Sequence, residues 1–221
     1  MAAISPFKAM RDELTCLGRD IKILHLVRDP IVRALSHHYH AVNYGMADPD
    51  AETALRDDPE FIAVSRYAMQ LEAWCTKFPS AQIRVFIAEE YYASRQETVD
   101  EMCRFLGVGN NPMNHFGWHN RSEDHRAGRW NIVRRSRVYR RYIAPHLPTK
   151  VRARASSLLL SPGPPRPRVP SVDCLQRMRD ALTHDVEALT RFMGRSTAPW
   201  DLSATVRHLA EGESARTKVG S

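Results

Sequence analysis

The chain has 221 residues, of which 43% are apolar and 26% charged, a composition that indicates a soluble globular protein rather than a disordered one. No apolar run approaches the roughly 20 residues that span a bilayer, and no signal peptide is visible at the start. We therefore expect a cytoplasmic protein with no membrane span. The net charge of +7 favours anionic partners such as nucleotides, nucleic acids and acidic glycans. Codon usage in a GC-rich genome also explains an excess of arginine, so only arginines placed in a motif count as evidence.

The first part of the chain predicts a strand that is followed by a helix. A short helix is expected over residues 5–18. Residues 21–27 are rich in branched apolar side chains, which predicts a buried strand that runs parallel to its neighbours. Asp29-Pro30 then starts a helix that runs to about residue 42, because aspartate caps helices and proline fits their first turn.

The next segment is expected to alternate helix and strand. A polar loop is expected over residues 44–57, and one helix from Asp58 to the break at Phe78-Pro79, where apolar residues recur at helical spacing. The apolar positions of that helix are Phe61, Val64, Ala68, Leu71, Trp74 and Cys75. Residues 82–87 predict a second strand and residues 94–106 a further helix. This alternation predicts an α/β layered fold with a mostly parallel sheet.

The remainder of the chain is basic and is interrupted by prolines. Basic helices are expected between residues 131 and 160, and the five prolines of residues 161–170 predict an extended linker. Residues 173–194 predict an amphipathic helix. The polar tail, residues 203–221, is expected to be disordered, so the predicted domain covers residues 1–202.

The cysteines and histidines do not show the spacing of a metal site. Four cysteines are widely separated, so we expect them to be reduced and mostly buried rather than joined in disulfides. They are Cys16, Cys75, Cys103 and Cys174. His37, His38 and His40 are close in sequence, but their spacing suits no common zinc site, so no metal is expected.

The junction between the first strand and its helix carries candidate anion-binding residues. Arg28 is expected at the carboxyl end of a parallel strand, where ligands of open α/β sheets bind, and its forked guanidinium suits a phosphate. Ser36 comes three residues after Arg33, and His37 comes four residues after it. On a helix this spacing makes both side chains neighbours of Arg33 on the surface. The alternative is that Arg28 only pairs with Asp29 and that no anion site exists.

Several strings of this sequence resemble segments of sulfotransferases that use the donor PAPS (3′-phosphoadenosine 5′-phosphosulfate). Arg28-Asp29-Pro30, Arg33 and Ser36, which follow an apolar strand, resemble the 3′-phosphate-binding segment of that family. Ser5-Pro6-Phe7 resembles a segment that precedes this strand in glycan and heparan-sulfate-type members. Further similar positions follow in the family's order: Tyr67, Leu71, Trp74, Phe78-Pro79, Gln82 to Val85, Glu89-Glu90, Thr98, Phe105-Leu106-Gly107, Gly194-Arg195 and Trp200. The resemblance therefore spans nearly the whole chain.

The resemblance implies a three-layer α/β domain with a parallel sheet, of the P-loop NTPase-like sulfotransferase type. It implies that Arg28 and Ser36 bind the 3′-phosphate of PAPS, and that Arg126, Gly128 and Arg129 belong to a basic loop that covers the nucleotide. The family binds the 5′-phosphosulfate with a Gly- and Lys-containing loop after its first strand. No such string occurs here. We therefore expect the fold to lack its first strand–loop–helix unit, and the catalytic residues stay unassigned.

The implied function is the transfer of a sulfuryl group from PAPS to a hydroxyl or amine, with glycans among the candidate acceptors. The alternative is a non-catalytic nucleotide- or polyanion-binding remnant of a sulfotransferase, which the absent 5′-phosphosulfate loop favours. For the same reason, we expect that the 221-residue chain alone does not turn over at a useful rate. A nucleic-acid-binding protein is a third hypothesis, suggested by Arg134-Arg135 and Arg140-Arg141. Helical arginines without interleaved aromatic residues argue against it.

Overall fold

The computed structural model describes Leu14, residues 21–109 and residues 167–219. Within these residues the sheet has two parallel strands, β1 (Ile23–Val27) and β2 (Ile83–Ile87), which pair in register from end to end. The helices of this part of the chain are α1 (Pro30–Asn43), α2 (Ala51–Asp57), α3 (Glu60–Ala63), α4 (Tyr67–Cys75), α5 (Ala88–Ala93), α6 (Arg95–Leu106), α7 (Val172–Phe192) and α8 (Leu202–Val219). None of them is both long and apolar enough to cross a membrane.

Helix α1 begins where the sequence predicts it, directly after β1. The Asp29 Oδ1 atom accepts hydrogen bonds from the backbone N–H groups of Ile31 at 2.9 Å and Val32 at 3.0 Å, and Pro30 occupies the first turn. These contacts satisfy two of the N–H groups that a helix leaves without an intrahelical partner. The helix ends at Asn43, and Gly45, which follows the cap residue Tyr44, has a φ of 67° in the left-handed region that glycine adopts at low cost.

The core is built where α1, α4 and α7 pack together beside the sheet. Its most completely buried side chains lie on these three helices: Ile31, Leu71, Leu175, Leu182 and Leu189. Burying a leucine side chain contributes roughly 1.5–3 kcal/mol, so the apolar stripe of α7 is a principal source of stability. The amphipathic helix that the sequence predicts at residues 173–194 is thus confirmed, with bounds Val172–Phe192.

The expected loop at residues 44–57 contains a helix, so that prediction is corrected. Helix α2 begins at Asp50, whose side chain accepts hydrogen bonds from the backbone N–H and the hydroxyl of Thr53. Ala51, Ala54 and Leu55 on this helix are buried. Its seven residues are too few to show a clear helical period in a polar sequence.

The single helix expected from Asp58 to Phe78-Pro79 is broken in the structure. Helix α3 ends at Ala63, and α4 begins at Tyr67 without a capping side chain of its own. Instead, the carboxylate of Asp185 on α7 accepts hydrogen bonds from the backbone N–H groups of Ala68 and Met69, both at 3.0 Å. A cap that comes from a residue more than a hundred positions away cannot be predicted from local sequence.

Three further predictions about burial and order are corrected. Cys75 is exposed, although Cys103 is half-buried and Cys174 is buried; all three are free thiols. Strand β1 is only partly covered by the described residues, and Leu26 is 50% exposed. The tail that was expected to be disordered from residue 203 contains helix α8, on which Val206 is buried in the core. Leu202 and Val206 are the apolar pair, four residues apart, that anchors this helix.

Candidate anion-binding site

The residues at the carboxyl end of β1 are held by several elements. The carboxylate of Asp29 caps α1 and accepts a hydrogen bond from the Thr205 hydroxyl of α8 at 2.6 Å. The backbone N–H of Asp29 donates to Glu89 Oε1 at 3.0 Å, and the Trp200 indole donates to Glu89 Oε2 at 3.1 Å. Three of the roughly four acceptor sites of the Asp29 carboxylate are therefore filled by groups other than Arg28, and no ion pair joins Arg28 to Asp29 within the described residues. The alternative in which Arg28 only pairs with Asp29 does not match this geometry.

The backbone of Arg28 is fixed by a tyrosine of α4. The Tyr67 hydroxyl donates a hydrogen bond to the Arg28 carbonyl oxygen at 2.9 Å. Burial raises the pKa of Tyr67 to about 12, so the phenol stays protonated and remains a donor at neutral pH. Because Asp185 caps the first turn of α4, the position of Tyr67 depends in turn on α7. This chain of contacts fixes where the Arg28 side chain begins.

Arg28 and Ser36 line one cavity, as the sequence predicts for two residues of one anion site. The cavity has a volume of about 350 Å³ and lies along one face of α1. The α1 side is formed by Val32, Leu35, Ser36, His38 and Tyr39, and the facing side by Pro167, Arg168, Val169, His208, Leu209 and Gly212. Its size is within the range of roughly 300–1,000 Å³ that is usual for small-molecule sites.

Arg33 and His37 lie on a different face of α1, and neither lines this cavity. Arg33 Nη1 and His37 Nδ1 are buried without a hydrogen-bond partner, and the His37 ring packs against Phe61. Burial lowers the pKa of Arg33. Burial also lowers the pKa of His25 and of His37, and the positive charge of Arg33 lowers the pKa of both histidines further. The predicted grouping of Arg33 with Ser36 as surface neighbours is therefore corrected: the two side chains lie in different environments.

Arg126, Gly128 and Arg129, and the Ser5-Pro6-Phe7 segment, lie outside the described residues, and their roles stay predictions. Within residues 21–109 and 167–212, no group of three histidine, cysteine or acidic side chains is arranged to hold a metal ion.

An arginine and a histidine of the cavity were missed by sequence reasoning. Arg168 lies in the proline-rich segment that was interpreted as a linker, and His208 lies in the tail that was interpreted as disordered. Neither residue belongs to a local motif. Only the return of the chain from α7 and α8 to the face of α1 brings them near Arg28.

The protein is an α/β domain with a cavity beside Arg28, at the carboxyl end of a parallel strand, which is the edge where open α/β sheets commonly bind ligands. Comparison with known families is more specific. Residues 12–128, somewhat more than half of the chain, match the family model of the sulfotransferase domain, and the chain belongs to that family. The predicted family resemblance is thus confirmed.

The fold is similar to that of a sulfotransferase from Alicyclobacillus acidocaldarius known from a crystal structure. The two chains share 19% sequence identity with a TM-score of 0.51, over 85% of this chain and 60% of that chain. The chain thus spans about 60% of the length of that protein. No curated protein sequence matches this chain. The structural similarity supports the α/β sulfotransferase fold, while the three-layer sheet and the missing first unit stay predictions.

Proposed function

We propose that this protein is a sulfotransferase that takes a sulfuryl group from PAPS and transfers it to a hydroxyl or amine, with glycans among the candidate acceptors. The observation that carries the proposal is that Arg28 and Ser36, the two residues that the family resemblance assigns to the 3′-phosphate, line the same cavity. Membership of the sulfotransferase-domain family supports the reaction type. The donor and the acceptor class are part of the proposal.

The chemistry of the cavity suits a nucleotide bisphosphate. Arg28 supplies a permanent charge with a planar fork of N–H donors, and Ser36 supplies a hydroxyl from the next turns of α1. The Asp29 carboxylate would compete with a ligand for the Arg28 guanidinium. It instead accepts hydrogen bonds from N–H groups of α1 and from the Thr205 hydroxyl. Apolar side chains between these polar groups offer a surface for a nucleobase.

In the proposed reaction, the acceptor oxygen or nitrogen forms a bond to sulfur while the bond from sulfur to the phosphate oxygen breaks. The acceptor proton passes to a base that we do not assign, and adenosine 3′,5′-bisphosphate leaves with the bonding electrons. Arg28 and Ser36 hold the end of the donor remote from sulfur, so their role is to position it. Arg126, Gly128 and Arg129 are proposed to cover the nucleotide. Helix α8 is proposed to belong to the same domain because Thr205 bonds to Asp29.

The test combines binding and turnover. Calorimetry measures the affinity for adenosine 3′,5′-bisphosphate, and transfer of radiolabelled sulfate from PAPS is followed on a mixed panel of glycan, hydroxyl and amine acceptors. Binding together with a transfer that Arg28→Ala reduces supports the proposal. Binding without transfer to any acceptor agrees with the absence of a 5′-phosphosulfate loop from the 221-residue chain and favours the alternative of a nucleotide-binding remnant. If neither the nucleotide nor PAPS binds, both interpretations are wrong.

A further inference from the structure

The side of the cavity that faces α1 is formed by the C-terminal part of the chain. It consists of residues 167–169, which precede α7, and of His208, Leu209 and Gly212 on α8; we refer to it as the C-terminal wall. We propose that Arg168 and His208 bind the 3′-phosphate group of the nucleotide together with Arg28 and Ser36, so that the C-terminal wall belongs to the donor site. This inference rests on the proposed function and extends it to residues outside the family resemblance.

Charge balance is the first argument. A phosphate monoester carries about −1.5 to −2 charges at neutral pH. Arg28 supplies one positive charge, and Ser36 supplies none. Among the described residues that line the cavity, Arg168 is the other arginine, so it can supply the second positive charge at the phosphate.

The start of helix α1 cannot substitute for that cation. Helix N-termini commonly bind phosphate through their free N–H groups. Here the N–H groups of Ile31 and Val32 both donate to Asp29 Oδ1, which also places a negative charge at this end of the helix. A phosphate in the cavity therefore has to be bound by side chains on the face of α1 and on the wall opposite.

Both parts of the C-terminal wall are anchored near the residues that they would assist. Thr205, one turn before His208, donates its hydroxyl hydrogen bond to Asp29, the neighbour of Arg28. Val206 is buried in the core. On the other side, Pro170 is buried and Ser171 donates two hydrogen bonds to Glu52 on α2. Arg168 and His208 are themselves exposed, so they can contact a ligand without a rearrangement of the core.

The apolar residues of the cavity indicate a nucleotide rather than free phosphate. Val32 and Leu35 lie on the α1 side, and Val169 and Leu209 lie on the C-terminal wall. Apolar side chains on two facing walls suit a planar base, whereas inorganic phosphate would leave this surface uncovered. The site is therefore expected to require both the base and the 3′-phosphate.

The experiment measures dissociation constants of the full chain by calorimetry for adenosine 3′,5′-bisphosphate, adenosine 5′-phosphate and inorganic phosphate. Arg168→Gln is expected to weaken binding of the bisphosphate about tenfold and binding of the 5′-phosphate about twofold or less, because a charge-assisted hydrogen bond to the 3′-phosphate is lost. His208→Gln is expected to weaken the bisphosphate about threefold. Inorganic phosphate is expected to bind too weakly to detect.

Matched controls separate a local contact from the general charge of the chain. Arg207→Gln removes an exposed arginine adjacent to His208 that pairs with Asp201 at 3.9 Å, and Arg191→Gln removes an exposed arginine of α7. Neither residue lines the cavity, so each is expected to change the affinity by about twofold or less. The double variant Arg28→Ala with Arg168→Gln is expected to lose less than the product of the two single losses, because both residues contact one phosphate group.

The outcomes distinguish this inference from the proposed function. If Arg28→Ala weakens the bisphosphate while Arg168→Gln and His208→Gln match the two controls, the inference is wrong and the proposed function stands. If Arg168→Gln weakens the bisphosphate and the 5′-phosphate equally, the residue does not recognise the 3′-phosphate, which also overturns the inference. If Arg28→Ala has no effect either, the proposed donor site itself is wrong.

Discussion

Two faces of helix α1 carry residues of the same motif in different surroundings. On one face, Ser36 lines the cavity that also contains Arg28. On the other face, Arg33 and His37 pack beside α3 and α4, with buried nitrogen atoms that have no hydrogen-bond partner. The first face borders the cavity, whereas the second, which we call the covered face, packs against neighbouring helices and leaves Arg33 and His37 half-buried. Two arginines of one motif therefore differ in surroundings: Arg28 lines the cavity, and Arg33 lies within the packing.

Both faces depend on how α1 begins, so Asp29→Ala is expected to have the largest effect. The change removes the cap of α1 and the acceptor of the Thr205 hydroxyl. Loss of a cap and of a buried hydrogen bond should lower the free energy of unfolding by about 2–3 kcal/mol. Urea denaturation measures this loss. Asp57→Ala, which removes an exposed carboxylate, is the control and is expected to change stability by about 0.5 kcal/mol or less. Equal losses for the two variants would contradict the importance of the junction.

The next effect is expected from Tyr67→Phe, which removes the link between α4 and the Arg28 carbonyl. The carbonyl loses its 2.9 Å hydrogen bond, and the variant should lose about 1 kcal/mol of stability. Nucleotide affinity should fall about threefold, because the start of the Arg28 side chain is less well fixed. Tyr91→Phe is the control, since its hydroxyl forms no hydrogen bond within residues 21–109 and 167–212. A loss of stability without any loss of affinity would show that Tyr67 does not position Arg28.

Two half-buried histidines, His37 on the covered face of α1 and His25 on β1 near Arg33, should make stability depend on pH. Burial lowers the pKa of His25 and His37 below the usual 6.5. Between the pKa of the folded state and that of the unfolded state, the folded protein therefore binds fewer protons than the unfolded chain. Stability is therefore complete above about pH 6.5 and falls as the pH drops below it, by at most about 1.4 kcal/mol per pH unit for each proton. Thermal unfolding from about pH 7.5 to about pH 5.5 measures this decline.

Substitution of the two histidines identifies the source of the decline. His25→Phe combined with His37→Leu should flatten the pH dependence, whereas His184→Leu, at a side chain that is 93% exposed, should leave it unchanged. If the double variant loses stability as steeply as the parent protein, groups other than His25 and His37 set the pH dependence.

The smallest effect is expected from Arg33→Met. An apolar side chain in place of a partly buried arginine with an unpaired nitrogen should change the free energy of unfolding by about 0.5 kcal/mol or less, or increase it. Because Arg33 does not line the cavity, nucleotide affinity should stay within about twofold of the parent value. Calorimetry and urea denaturation of one preparation measure both quantities. A large loss of affinity would place Arg33 in the binding site.

The sequence predicts the local parts of this fold well. Apolar runs predict strands β1 and β2, a helix-capping residue predicts the start of α1 at Asp29, and helical periodicity predicts helix α7. For the candidate site, the sequence predicts that Arg28 and Ser36 lie together because they belong to one local segment, and both line one cavity; their role in binding stays a prediction.

The parts that the sequence does not predict depend on contacts between distant segments. The break before α4 requires the carboxylate of Asp185, and helix α8 is anchored by Thr205 on Asp29. The C-terminal wall, with Arg168 and His208, exists only after α7 and α8 have packed against α1. No local pattern encodes these contacts, since the partners are more than a hundred residues apart in the chain.

The account is tested most directly by the preference of the protein for adenosine 3′,5′-bisphosphate over adenosine 5′-phosphate. The ratio of the two dissociation constants is measured by calorimetry for the parent protein, Arg28→Ala and Arg33→Met. We predict that the parent protein and Arg33→Met prefer the bisphosphate, and that Arg28→Ala reduces this preference about tenfold or more, since a charge-assisted hydrogen bond contributes roughly 1.5–3 kcal/mol. An unchanged preference in Arg28→Ala, or its loss in Arg33→Met instead, would contradict the assignment of the donor site.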